Sequence, residues 1–215
     1  RTFWRQPLAL SGLFLLFMAL ASLSSFLSYG GTFLGLMFIP AASLGLMAAA
    51  READLGRFPM PSMLIIAFKQ SAAQSKTMVV MGFLYGLLFC FVLVMSSWFD
   101  NGEFARVYMA GGGMMEDHLL NEHFQTAAVF TLLMYVPFSS LFWHASALVH
   151  WHGQPLAKSL FFSFMACWAN WRAFAVYGLT WCAIFLSTSV LLSLISMVLE
   201  DGQISMMLLL PAMLM

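Results

Sequence analysis

No Asp, Glu, Lys or Arg occurs between Arg5 and Arg51. The run is too long for one membrane helix, because about 20 residues at about 1.5 Å each cross a hydrocarbon core of about 30 Å. It must divide, and Ser24-Ser25 and Tyr29-Gly30-Gly31-Thr32 supply turn-forming residues for the division. Helix 1 is predicted over about Leu8–Phe26 and helix 2 over about Thr32–Ala50. The same reading places helix 3 at about Thr77–Trp98, helix 4 at about Phe124–Val149 and helix 5 at about Ala173–Leu199. Helix 6 starts near Gln203 and runs to the end of the chain.

Composition agrees. Hydrophobic residues make up 62% and charged residues 8%, with a mean hydropathy of +0.88. A soluble domain carries about a quarter charged residues, so this chain belongs in a bilayer. The predicted class is an all-α integral membrane protein, residues 1–215 forming a single polytopic domain. The chain opens at Arg1 and closes inside an apolar run, and both natural ends are expected to lie beyond it. The three cysteines, Cys90, Cys167 and Cys182, have no pairing or metal-ligand spacing and read as small buried hydrophobes.

A net charge of zero hides a strong partition. In a six-span arrangement Arg1, Arg5, Arg51, Arg57, Lys69, Lys76, Lys158 and Arg172 fall on one side, and Arg106 alone on the other. Asp100, Glu103, Glu116, Asp117, Glu122, Glu200 and Asp201 lie opposite, leaving Glu52 and Asp54 with the basic group. Lys and Arg near helix ends mark the cytoplasmic side. Both termini are therefore expected in the cytoplasm of a bacterial inner membrane, with the acidic loops outside. Trp98 and Phe99 on one side, and Trp4, Trp151, Trp168 and Trp171 on the other, suit interfacial belts.

Two stretches, about 40–82 and 137–178, share a pattern. Each has a proline within an apolar helix (Pro40, Pro137), a Ser-Leu pair three residues on, and a Gly/Pro breaker (Gly56 to Pro59, Gly153 to Pro155). Each then has a short helical segment, followed by a basic residue six positions before a glycine (Lys76 and Gly82, Arg172 and Gly178). Pro211 suggests a third copy, so the unit is a repeated helical hairpin. The short segments, Pro61–Ser75 and Leu156–Asn170, are expected as cytoplasmic amphipathic helices at the membrane interface. Leu64, Ile65, Phe68 and Ala72 would form the apolar face of the first, and Leu156, Leu160, Phe164, Trp168 and Trp171 that of the second. Gly31-x-x-x-Gly35, Gly82-x-x-x-Gly86 and the series Ala41, Gly45, Ala49 offer small faces for close helix packing.

The chain has no nucleotide-binding glycine loop, nucleophile elbow or HExxH pattern. No charged residue falls within a predicted span, which weighs against coupled-ion transport. Two clusters offer other chemistry. His144, within helix 4, has the ring chemistry to ligate haem or a metal, or to carry protons, and equally to hydrogen-bond a neighbouring helix. Met115, His118 and His123 in the long acidic loop combine thioether and imidazole, a set that suits copper, although a chain with 18 methionines places some beside any histidine. Pro40, Pro137, Pro211, Gly82 and Gly178 are read as structural positions.

Arg5-Gln6-Pro7, Gly153-Gln-Pro155 and the run Phe164 to Asn170-Trp171-Arg172 leading to Gly178 resemble a family of uncharacterised six-helix proteobacterial inner-membrane proteins. That family is distantly like the membrane domain attached to some glycerophosphodiester phosphodiesterases. The resemblance implies a helical bundle and supplies no catalytic residues. The first stretch departs from it, with Gln74-Ser75-Lys76 where the second has Asn170-Trp171-Arg172. The expected role is non-catalytic: an accessory or assembly subunit contacting lipids and other integral membrane proteins, and no nucleic acid. The alternatives are a passive small-solute or lipid carrier, using a cavity beside the three prolines, and a copper- or haem-handling protein.

Overall fold

The structure is a computed structural model describing residues 2–25, 28–69, 71–110 and 121–199. These residues form α1 (Pro7–Ser25), α2 (Ser28–Asp54), α3 (Ala72–Asp100), α4 (Glu103–Ala110), α5 (Glu122–Phe142), α6 (Ala145–His152), α7 (Leu156–Ala169) and α8 (Trp171–Leu199). Short 3-10 helices cover Phe3–Arg5 and Pro61–Phe68. The chain divides into two compact units at Met165 and Ala166.

Among the described residues, four helical stretches are long and apolar enough to cross a membrane: Gly30–Asp54, Ala72–Asp100, Glu122–His152 and Trp171–Leu191. They coincide with helices 2 to 5 of the sequence reading. Helix 1 forms as α1, 19 residues long and within a residue of the expected bounds. Helix 6, with Pro211, lies outside the described residues. The Tyr29–Thr32 turn is corrected, because those residues are helical within α2. Each glycine costs about 1 kcal/mol of helix stability, but a backbone group left bare in hydrocarbon costs several, so the helix runs through the glycine pair.

In the first unit α2, α3 and the α5–α6 pair enclose one core, including Leu44, Met81, Phe89, Phe124, Phe142 and Val149. Leu13 of α1 joins Ala49 and Leu64 in a second, smaller cluster. Two of the small-residue faces read from sequence make close approaches. A Cβ on Gly82 would run into the Met37 carbonyl oxygen, and one on Gly86 would meet the Phe33 ring at 2.8 Å. A Cβ on Gly45 would lie 2.7 Å from the Leu64 Cα.

The ends of this unit carry different charges. At one end Arg5 pairs with Asp54 at 3.5 Å, and Arg57 holds Glu52 through Nε at 2.7 Å and Nη2 at 3.0 Å. The Arg51 guanidinium lies over the Trp151 ring, 5.5 Å from its centroid, and Gln74 donates to the Val149 carbonyl at 3.4 Å. The two acids that share the basic side are thus both held by arginines. At the other end Thr32 donates to the Met109 carbonyl at 2.9 Å. Asp100 there caps α4, accepting from the Gly102 N–H at 2.9 Å and the Phe104 N–H at 2.6 Å. Asn121 caps α5, accepting from the His123 N–H at 2.9 Å. Helix caps of this kind satisfy N–H groups that have no partner within the helix.

The segment Pro61–Ser75 is not one amphipathic helix. It is a 3-10 helix to Phe68, and α3 begins at Ala72 with Ser71 as its cap. Three residues per turn put Leu64 and Ala67 on one side. Both are buried, while Ile65 and Phe68 are exposed.

Gly82 and Gly178 differ in the space beside them. Gly82→Ala forces a Cβ into the Met37 carbonyl and should destabilise the protein by about 1–3 kcal/mol, the usual range for overpacking. Gly178 has no described atom within 4 Å of an added Cβ, so Gly178→Ala should be neutral or stabilising by up to about 1 kcal/mol. Denaturant unfolding in detergent measures both, and the reverse order would contradict this packing.

Candidate functional site

The expected helix 4 is interrupted. α5 ends at Phe142, Trp143 and His144 form a turn, and α6 starts at Ala145. Two local features prepare the break. Pro137 lies inside α5 and has no N–H to give the turn before it. Ser139 and Ser140 turn their hydroxyls back onto the Val136 and Pro137 carbonyls, at 2.9 and 2.6 Å.

The third feature comes from another helix. In an uninterrupted helix the His144 N–H would donate to the Ser140 carbonyl. The hydroxyl of Ser163, from α7, stands between them. His144 N–H donates to Ser163 Oγ at 2.9 Å, and Ser163 Oγ donates to the Ser140 carbonyl at 2.8 Å. Ser163 is fully buried. A side chain inserted in the helix ladder is a recognised cause of a kink.

The first stretch gives an internal comparison. Ser43 donates to the Pro40 carbonyl at 2.9 Å, as Ser140 does to that of Pro137. Ala67 occupies the place of Ser163 in the aligned pattern and is also buried, but brings no hydroxyl. There α2 runs unbroken to Asp54.

The Ser163 bridge also shifts the facing of α7: Leu156 and Leu160 of the expected apolar face pack half-buried against the core, and serines join them there. The helix forms over Leu156–Ala169, close to the range read from sequence. Its buried positions are Ser159, Ser163 and Cys167, whereas Trp168 and Trp171 are exposed. Burial pushes the Cys167 thiol above its ordinary pKa, in keeping with a buried, unreactive sulfur. Cys90 is half-buried and Cys182 exposed, so only Cys167 is buried as expected.

Next to Pro137 lies a polar pair that the sequence reading passed over. Tyr85 of α3 and Tyr135 of α5 share a hydrogen bond of 2.8 Å. Phe89 packs edge-on to Tyr135 at 5.8 Å, and Phe142 edge-on to Tyr85 at 5.1 Å. A space of about 10 Å³ beside the pair, also lined by Phe138 and Ser139, approaches the size of one water. Tyr108 of α4 stacks on Phe89 at 5.1 Å. Burial, and then the nearby Tyr135, pushes the Tyr108 phenol above its ordinary range, so it stays neutral. The signal for the pair was two tyrosines in otherwise apolar spans, since a buried phenol needs a hydrogen-bond partner.

His144 is half-buried at the start of α6, where its backbone joins the Ser163 bridge. His150 and His152 lie in the last turn of α6. His123 is exposed in the first turn of α5, and Met115 and His118 fall outside the described residues. No group of three His, Cys, Asp or Glu side chains with metal-binding geometry occurs among the described residues. Pro40 is buried in α2, whereas Pro137 is exposed.

The fold and this site define an all-helical membrane protein, organised by backbone-satisfying side chains. The chain belongs to the family of a Burkholderia thailandensis protein described as a probable inner membrane protein. The two are 32% identical over 213 residues, which is 98% of this chain and 79% of that relative. No family model and no solved structure matches the chain. This chain shares with it the character of a membrane protein, with helices long and apolar enough to cross a bilayer, and the relative's description assigns no activity.

Ser163→Ala tests the bridge. Its loss should cost about 1–3 kcal/mol, the range for leaving buried polar groups unsatisfied, with Ser163→Thr recovering part of it. Ser159→Ala removes only a bond of 3.4 Å and should cost less. Unfolding of the purified variants measures this, and a Ser163→Ala protein as stable as the wild type would contradict the assignment.

Proposed function

We propose that this protein is a non-catalytic, multi-pass accessory or assembly subunit that packs against a larger inner-membrane complex. The observation that carries the reading is the span Trp171–Leu191 of the second unit, long and apolar enough to cross a membrane. Its small and hydroxyl-bearing residues include Gly178, Thr180 and Ser187. Small residues in a span are the usual means for another helix to come close. Gly82, Gly86 and Gly45 are used in that way inside the first unit, and Gly178 offers the same kind of position in the second.

The proposed topology has six spans, built from a repeated hairpin, with both termini cytoplasmic. The Arg-rich end faces the cytoplasm and the end with Asp100, Glu103 and Glu122 faces outward. α7 would lie at the interface, its exposed Trp168 suited to the headgroup region. The resemblance to a membrane domain found attached to phosphodiesterases fits a module that serves other machinery. A carrier is less well supported, because the space beside Pro137 is close to water-sized and Pro40 is buried. Haem at His144, or copper at Met115, His118 and His123, stays the lesser alternative, and Met115 and His118 lie outside the described residues.

Mild-detergent extraction from native membranes tests the role. The wild type should elute with other integral membrane proteins, and Gly178→Leu should elute without them while keeping its fold. A wild-type protein that elutes as a lone monomer would remove this reading.

A further inference from the structure

At the basic end of the first unit a pocket of about 140 Å³ opens between the end of α2, the loop after it, the 3-10 helix and the end of α6. Its polar wall is Arg51, Glu52 and Arg57, and Trp151 stands beside Arg51. Met63 and Ile66 contribute apolar surface. We propose that this pocket is a binding site for one phosphate group.

The charges are arranged for that ligand. Glu52 is committed to Arg57 by two short contacts, 2.7 and 3.0 Å. Those contacts use Nε and Nη2, leaving Nη1 of Arg57 available. Arg51 has no acidic partner among the described residues. The Trp151 ring orients it through a cation–π contact. The other nearby acid, Asp54, is held by Arg5 and does not offset Arg51. The pocket thus keeps one positive charge in excess, and planar guanidinium donors match phosphate oxygens in geometry as well as charge. The volume admits more than a single water. The Met63 and Ile66 surface suits the glycerol and first carbons of a lipid, while the polar wall alone would hold a free phosphate. The site follows from the pocket itself and does not depend on the accessory-subunit reading.

Native mass spectrometry of the full chain in a neutral detergent tests it, with inorganic phosphate in one arm and a short-chain phosphatidylglycerol in the other. One adduct per chain is expected in at least one arm. Binding in the lipid arm alone assigns the site to a headgroup, and binding in the phosphate arm assigns it to free anions as well. Arg51→Gln should weaken binding about tenfold or more, as loss of a charge-assisted hydrogen bond implies. Glu52→Gln removes the opposing charge and should strengthen binding, which separates ligand recognition from simple damage to the fold. No adduct in either arm, Arg51→Gln binding like the wild type, or Glu52→Gln weakening binding as Arg51→Gln does, would each overturn the proposal.

Discussion

A backbone group inside a bilayer has no water to turn to, so any departure from a straight helix needs a protein group in compensation. The Ser163 hydroxyl is that group here. It both accepts and donates, so one atom serves the His144 N–H and the Ser140 carbonyl together. The α5–α6 break and the inward serines of α7 are therefore two aspects of one interaction. The hydroxyls of Ser43, Ser139 and Ser140, each donating to a carbonyl three residues back, follow the same economy on a smaller scale. At the acidic end, Asp100 and Asn121 satisfy the N–H groups that begin α4 and α5.

Much of the fold was legible because span length and charge gaps depend on the solvent. Four of the expected spans coincide with long apolar helices. The glycine faces were legible for a related reason: where lipid is as apolar as leucine, close approach has to come from small residues. Gly82 against Met37 and Gly45 against Leu64 meet that expectation.

What was missed depends on partners distant in sequence. Nothing within Phe124–Val149 shows that Ser163 will insert at His144. A periodicity reading of α7 places its serines outward, because in water polar residues face solvent, whereas in a membrane bundle small polar residues face other helices. Pro61–Phe68 was read with 3.6 residues per turn and forms with three, which leaves Leu64 buried as expected but moves burial from Ile65 and Phe68 to Ala67. Tyr85 and Tyr135 lie 50 residues apart and meet only once α3 and α5 pack.

The same packing gives the unit a basic end and an acidic end. Glu52 and Asp54, the exceptions to the partition, are each held by an arginine, so the basic end keeps its surplus. This sidedness is the core of the account, and cysteine accessibility in intact cells tests it most directly. In a background without native cysteines, a membrane-impermeant maleimide should label Glu103→Cys from outside and reach Lys69→Cys only after the cells are lysed. Labelling of Lys69→Cys in intact cells, with Glu103→Cys protected, would contradict it.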